Sequence, residues 1–270
     1  NCLGAYDVKI AVCVKQIQDP EIAPSVFKVD EMKNSVVPVS GMNPVMSPFD
    51  EQAVESALRI KDKLPDSNVT VITLGPPAAK EVLKHGLSMG ADQGILLSTE
   101  NVSVSDADPY LTVSMLCAAI QKAGPFDLVL TGRQSADLDA GIVGCGVAEL
   151  LNVPAITFAK DVVTDGKTLT VERALDDGIE VVETSLPAVV TVSNELGAAR
   201  KPSLRETMRA ARKPVSTWSP SDVGIENLEQ KAEMVRLYVP KKDKRCIFID
   251  GGPEEVARNL VAKLHEAALI

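Results

Sequence analysis

Apolar positions along this chain follow two regimes. Up to about Pro154, short unbroken apolar runs alternate with stretches whose apolar residues fall three and four apart; beyond it, alternating residues and Asp-Gly pairs take over. Residues 8–14 (VKIAVCV) are the first unbroken run, suited to a central strand and closed by Lys15. Residues 16–46 lose periodicity and hold several prolines, with two short β-like pieces at 26–29 and 36–39. A loop of that length inside a compact domain is more often functional than idle. Ser47-Pro48-Phe49-Asp50 then reads as a capping box with proline at the first helical position, and Ala53, Val54, Ala57 and Leu58 lay one stripe under a helix reaching Lys63. A strand at 69–74 follows, then a Gly75-Pro76-Pro77 turn and a helix through Val82, Leu83 and Leu87, closed by Gly90. Next come a strand at 94–98, a helix at 109–123 and a strand at 127–131. Such alternation predicts an α/β fold with a doubly wound, mostly parallel sheet and ligands outside the carboxyl ends of its strands. By that rule Cys13, Leu74 and Thr131 line one crevice.

The stretch 127–151 (DLVLTGRQSADLDAGIVGCGVAELL) runs strand, loop, helix start, with helical spacing through Val143, Val147 and Leu150. The unpaired N–H groups of a helix's first turn carry partial positive charge that a phosphate can accept. Gly132, Gly141, Gly144 and Gly146 leave room for a ligand to approach the main chain. Asp137 and Asp139 repel a phosphate and suit ribose hydroxyls or a helix cap. The plainer reading stands beside this one: Asp139 is an N-cap and the glycines are turn residues.

Past Pro154, residues 156–163, 169–175 and 179–184 read as strands joined by Asp165-Gly166 and Asp177-Gly178 turns, and 186–192 (LPAVVTV) as a last buried strand. Residues 194–202 form a polar loop, 203–211 a short basic helix, 214–227 a linker containing Trp218, and 230–239 an extended edge segment. A closing helix starts at Gly251-Gly252-Pro253, with Val256, Leu260, Leu264 and Ala267 on one side. It has too little apolar area for its own core and is expected to pack on another surface. The division expected is a nucleotide-binding α/β domain over 1–215 and a linker with a C-terminal arm over 216–270.

Composition narrows the picture. Hydrophobic residues make up 45% but aromatics only 3%, so the core is aliphatic. A formal net charge of -9 argues against nucleic acid or an anionic membrane as partner. The basic runs at 200–213 and 241–245 are local exceptions. Cys2, Cys13, Cys117, Cys145 and Cys246 show no CxxC pairing and read as reduced thiols of a cytosolic or matrix compartment. With only His85 and His265, each in a stretch of helical spacing, there is little material for a metal site or a Ser-His-Asp triad. Neither the Walker pattern nor GxGxxG after a strand is present. No run approaches a membrane span, which points to a cytoplasmic protein, or a matrix one if the source is eukaryotic. The chain begins without Met, which reads as a trimmed or incomplete start.

Several ordered blocks carry a resemblance. They are Lys15 after the first strand, SPFDEQAVESAL, the Gly75-Pro76 turn, LSMGADQGI, DLVLTGRQSADLDAGIVG, and VERALDDGIEVVETSLPAVVT with Val171, Arg173, Asp177-Gly178, Glu180 and Pro187. Together they resemble the β subunit of electron transfer flavoproteins, the family that includes the FixA proteins. The resemblance implies a Rossmann-like fold of the adenine nucleotide α-hydrolase-like type, with a β-hairpin region and an extended arm. It implies a heterodimer whose α subunit holds FAD and receives the C-terminal arm of residues 216–270, while the β crevice holds AMP, or a second FAD that takes a hydride from NADH in electron-bifurcating members. Redox partners implied are flavin dehydrogenases such as acyl-CoA dehydrogenase on one side and a quinone oxidoreductase or ferredoxin on the other. No acid/base catalytic residue and no metal are implied.

Carried over by position, the crevice is lined by Cys13, by Ser47, Pro48, Phe49 and Asp50, and by Leu74. The loop Gly132, Arg133, Gln134, Ser135, Ala136, Asp137, Leu138, Asp139, Ala140, Gly141, Ile142 and Val143 completes it. The docking loop maps onto Asn194 through Arg205 with Leu204 as anchor; from sequence alone Leu204 equally suits an inward-facing start of the short helix. The chain departs from the family pattern at Ser47, where asparagine is usual, and at Ile142, where glutamine is usual. Its Val143-Gly144 pair is closer to bifurcating members than to AMP-binding ones.

Overall fold

The computed structural model describes residues 7–100, 108–226, 229–240 and 246–270. In chain order it runs β1 (Lys9–Cys13), then an excursion holding β2 (Gln16–Ile17), β3 (Val29–Asp30), β4 (Ser35–Val36) and β5 (Val45–Met46), then α1 (Pro48–Lys63). There follow β6 (Asn68–Gly75), α2 (Lys80–Met89), β7 (Gln93–Ser98), α3 (Pro109–Ala123), β8 (Leu128–Gly132) and α4 (Val143–Leu151). The later part holds β9 (Ala155–Thr164), β10 (Thr168–Leu175), β11 (Gly178–Ser185), β12 (Ala188–Val192), α5 (Leu204–Ala210), β13 (Val215–Trp218) and α6 (Pro253–Glu266).

One nine-stranded sheet takes the order β11-β10-β9-β12-β8-β1-β6-β7-β13. It is parallel from β9 to β13, and antiparallel only where β10 pairs with β9 and β11. The central strands are apolar throughout because both faces are covered, and successive residues serve opposite layers. Ile10 and Val12 of β1, with Leu128 and Leu130 of β8, join the layer that holds Ala53, Val54, Ala57 and Leu58 of α1. Ala11, Cys13 and Val129 join the layer that holds Leu111, Met115 and Ile120 of α3. The chain moves from β1 to β6 on one side and later returns to place β8 on the other. The connections leaving β1 and β8 therefore diverge to opposite faces, which is where an open α/β sheet forms a crevice.

Three expectations are corrected here. Residues 214–227 are not only a linker: β13 adds to β7 in parallel register, Val215 opposite Gly94 through Trp218 opposite Leu97, and the Lys122 ammonium lies 4.9 Å from the Trp218 ring centre. Residues 230–239 form no strand. Ser47 precedes α1 but makes no side-chain cap, because its hydroxyl and the Asp50 carboxylate are engaged elsewhere.

The chain divides into two compact units, one ending at Leu237 and the other spanning Tyr238–Ile270. Within the second, α6 buries no residue, and Leu260 and Val261 are each 47% exposed. No helix among the described residues is long and apolar enough to cross a membrane.

Candidate functional site

The carboxyl ends of β1 and β8 are joined by one side chain. Asp50, in the first turn of α1, accepts the Lys15 N–H at 2.8 Å on one oxygen and the Gly132 N–H at 3.1 Å on the other. It is only 6% exposed, and burial pushes its carboxyl up to about 7, against the lowering effect of those two N–H groups and of the Lys15 charge. Ser47 is wholly buried beside it. Its N–H donates to the Lys15 carbonyl at 3.0 Å, and its hydroxyl accepts the Ala136 N–H at 3.4 Å. Ser47 and Asp50 thus clip α1 to both strand ends.

The loop after β8 is organised by charge pairing. Asp137 meets the Lys15 ammonium at 2.7 Å, which offsets the repulsion a carboxylate would present to a phosphate. Asp139 stands at φ 51 and accepts the Gln134 side-chain amide at 2.8 Å. It is not the cap of α4: that position is Ile142, which has no side-chain cap hydrogen bond. The first turn of α4 therefore keeps its N–H groups free of any capping side chain, beneath a stretch, Asp137 to Ile142, that is exposed. Arg133 lies with its guanidinium 5.0 Å from the Phe49 ring centre, donates to the Ser193 hydroxyl at 3.3 Å, and leaves a buried Nε without a partner. The Ser193 hydroxyl donates in turn to Glu195, and that bond holds the Glu195 carboxyl below its ordinary range.

The glycines are read differently once their surroundings are visible. A Cβ on Gly132 would sit 2.5 Å from an Asp50 oxygen, one on Gly144 2.4 Å from Thr191 Cγ2, and one on Gly146 2.8 Å from Val113 Cγ2. Those three are glycine because packed side chains need the space. Gly141 alone of the four takes a left-handed turn, at φ 64.

The residues carried over to the crevice fall into three groups. Ser47, Asp50 and Gly132 are buried and structural, while Phe49 and Arg133–Ala136 are half-buried, Arg133 over the Phe49 ring and Ala136 bonded to Ser47. Pro48 and Asp137–Ile142 are exposed, and Val143 is half-buried at the start of α4. Cys13 packs in the α3 layer, where burial and the Asp50 charge push its thiol far above the ordinary range. Leu74 is partly buried against that same layer. Lys15, Ser193 and Glu195 take part without having been among the lining residues read from sequence. A polar residue closing a buried apolar run, as Lys15 closes 8–14 and Ser193 closes 186–192, was the available signal. Two concavities lie elsewhere, one of about 290 Å³ lined by Val26, Val37 and Val39, and one of about 380 Å³ by Lys9, Asn68 and Phe126.

The docking residues fall in two different elements. Asn194 opens a short 3-10 turn after β12, whereas Leu204 and Arg205 start α5. Leu204 is 80% exposed and Met208, one turn on, 68%, so the inward-facing alternative for Leu204 is excluded. Ser203 and Glu206 close a reciprocal capping box at the head of α5.

The electron transfer flavoprotein domain matches residues 36–223. The chain belongs to the electron transfer flavoprotein family. It is 35% identical to the caffeyl-CoA reductase-Etf complex subunit CarD of Acetobacterium woodii, over 97% of this chain and all of that one. It is 34% identical to the electron transfer flavoprotein subunit beta of Clostridium acetobutylicum, over 96% of this chain and 98% of that one. It is also 34% identical to the FixA protein of Azotobacter vinelandii, over 94% and 93%. Over nearly its whole length the chain therefore aligns with a β subunit of this electron-transfer family, and its mixed α/β architecture with a large, mostly parallel sheet is consistent with that family.

Proposed function

We propose that this chain is the β subunit of a heterodimeric electron transfer flavoprotein, with a nucleotide in the crevice at the ends of β1 and β8. In this reading it passes electrons between flavin dehydrogenases, such as acyl-CoA dehydrogenase, and a downstream acceptor. The observation that carries it is the full-length similarity to β subunits, together with the uncapped first turn of α4 under an exposed loop.

The residues present suit an adenylate. The first-turn N–H groups of α4 and the Arg133 guanidinium offer donors to phosphate, and the acidic groups nearest, Asp137 and Asp139, already have partners. In this reading Gln134, Asp139 and the 137–142 backbone would meet ribose and phosphate. Flavin chemistry, when FAD is bound by the α subunit, is the flavin's own; this chain contributes orientation and electrostatics. Its part is to hold the loop after β8 in place through Asp50 and Ser47, and to offer Leu204 with Arg205 and Met208 as a docking face.

A second reading keeps the same fold and site but puts FAD in the crevice, with NADH as donor. Val143 supports it, since the Val143-Gly144 pair is closer to that of bifurcating members, whereas AMP-binding members commonly carry threonine before the same glycine. Acid release of the nucleotides from the purified heterodimer, followed by chromatography, separates the two. One FAD with one AMP supports the first reading and two FAD the second, whereas a heterodimer yielding no adenine nucleotide beyond the α-subunit FAD would overturn both.

A further inference from the structure

Residues 229–237 have no regular structure and are mostly exposed. What fixes them is two side chains from distant parts of the chain. At one end, wholly buried Asp108 caps α3 by accepting the Leu111 N–H at 3.1 Å, and its other oxygen accepts the Lys231 N–H at 2.6 Å and the Ala232 N–H at 3.2 Å. At the other end, Asn34 stands in the β3–β4 turn at φ 48. Its amide nitrogen donates to the carbonyls of Met234 at 3.1 Å and Val235 at 3.3 Å, and its oxygen accepts the Leu237 N–H at 3.0 Å. A side-chain amide offers the same donor and acceptor as a peptide group, so Asn34 stands in for a neighbouring strand. An Arg236–Glu31 ion pair at 3.1 Å reinforces the same joint. The first compact unit ends at Leu237, the last residue that Asn34 holds.

We infer that Asn34, seconded by Asp108, is a tether that fixes the point from which residues 238–270 depart, and so presents that arm to the flavin-holding partner subunit. Ordering a loose segment at the moment of association weakens binding; a segment already held avoids that loss. The inference rests on the reading that the arm packs on such a partner. It adds that the excursion between β1 and α1 takes part in assembly through its hold on residues 234–237.

Asn34→Gly is the discriminating variant, because glycine keeps the left-handed turn while removing all three hydrogen bonds. Hydrogen exchange on the full chain reads the Leu237 amide, and titration with the separately purified partner reads the affinity. The expected result is lost protection at Leu237, an unchanged thermal midpoint, and affinity weakened by about threefold to tenfold. Asp108→Asn keeps a capping oxygen for Leu111 but sets a donor against Lys231 and Ala232, and is expected to weaken binding likewise. Parental affinity after Leu237 protection is lost overturns the tether, as does unchanged protection. An unsubstituted chain that never associates overturns the partner reading itself, and is recognised as that because no substitution is involved.

Discussion

Asp50 is where burial and hydrogen bonding compete most openly. Its carboxyl, raised from 3.8 to about 7, keeps a proton in the folded chain that the unfolded chain has already released. The native state then binds more protons than the unfolded one across that window, so this group's contribution to stability falls as pH rises from 3.8 to about 7 and is flat above. A tenfold change in proton affinity corresponds to about 1.4 kcal/mol. Asp50→Asn cannot titrate, so its urea midpoint relative to the parent is expected to improve between about pH 5 and pH 7.5. A difference that stays constant over this range would remove Asp50 as the titrating group. Gly144 makes a steric prediction of the same scale: with Thr191 Cγ2 and Thr131 Oγ1 at 2.4 and 2.6 Å from a new Cβ, Gly144→Ala is expected to cost about 1–3 kcal/mol. Thermal denaturation of the two proteins checks it.

At the scale of elements, α5 separates stability from recognition. Leu204 and Met208 lie one turn apart on its exposed side, on a helix held by the Ser203–Glu206 box, and Arg200 just before it is anchored to buried Glu55 through Nε at 2.7 Å and to Asp62 at 2.8 Å. Exposed apolar side chains on an anchored segment bear nothing of the fold. Leu204→Ala is therefore expected to leave the thermal midpoint and flavin content unchanged while slowing electron uptake from an acyl-CoA dehydrogenase about tenfold, the loss of one modest hot spot. Stopped-flow reduction with parental kinetics would remove the docking role.

What could be read beforehand at this scale, and what could not, follows from range. The buried strands were legible because covering both faces leaves an unbroken apolar run, and α1, α3 and the Asp-Gly hairpins announced themselves through local spacing. The cap at Ser47 was misread because its partner and that of Asp50 lie 89 and 82 residues away in sequence, at Ala136 and Gly132. Strand β13 escaped because its four residues, VSTW, are mostly exposed and owe their conformation to the edge of β7. The glycines misled for a similar reason: a sequence shows that Cβ is missing, never whether a ligand or Thr191 fills the space.

For the whole molecule, the apolar core and the arm are separate matters. Every buried hydrophobic residue among those described lies at or before Ala210, and α6 has none, so no described residue beyond Leu237 is a buried member of the core. A chain ending at Leu237 keeps both core layers and the hydrogen bonds of Asn34 and Asp108. Its thermal midpoint is expected to stay within about 2 °C of the full chain, since a shift of several degrees requires on the order of 1 kcal/mol. If the arm packs on the partner subunit, assembly is in contrast expected to weaken at least about tenfold, because the apolar side of α6 would be lost from the interface. Sedimentation of the mixed subunits measures this directly. Unimpaired assembly would mean that the partner binds the body of the α/β domain alone, whereas a collapse of the midpoint would mean that the arm supports the fold.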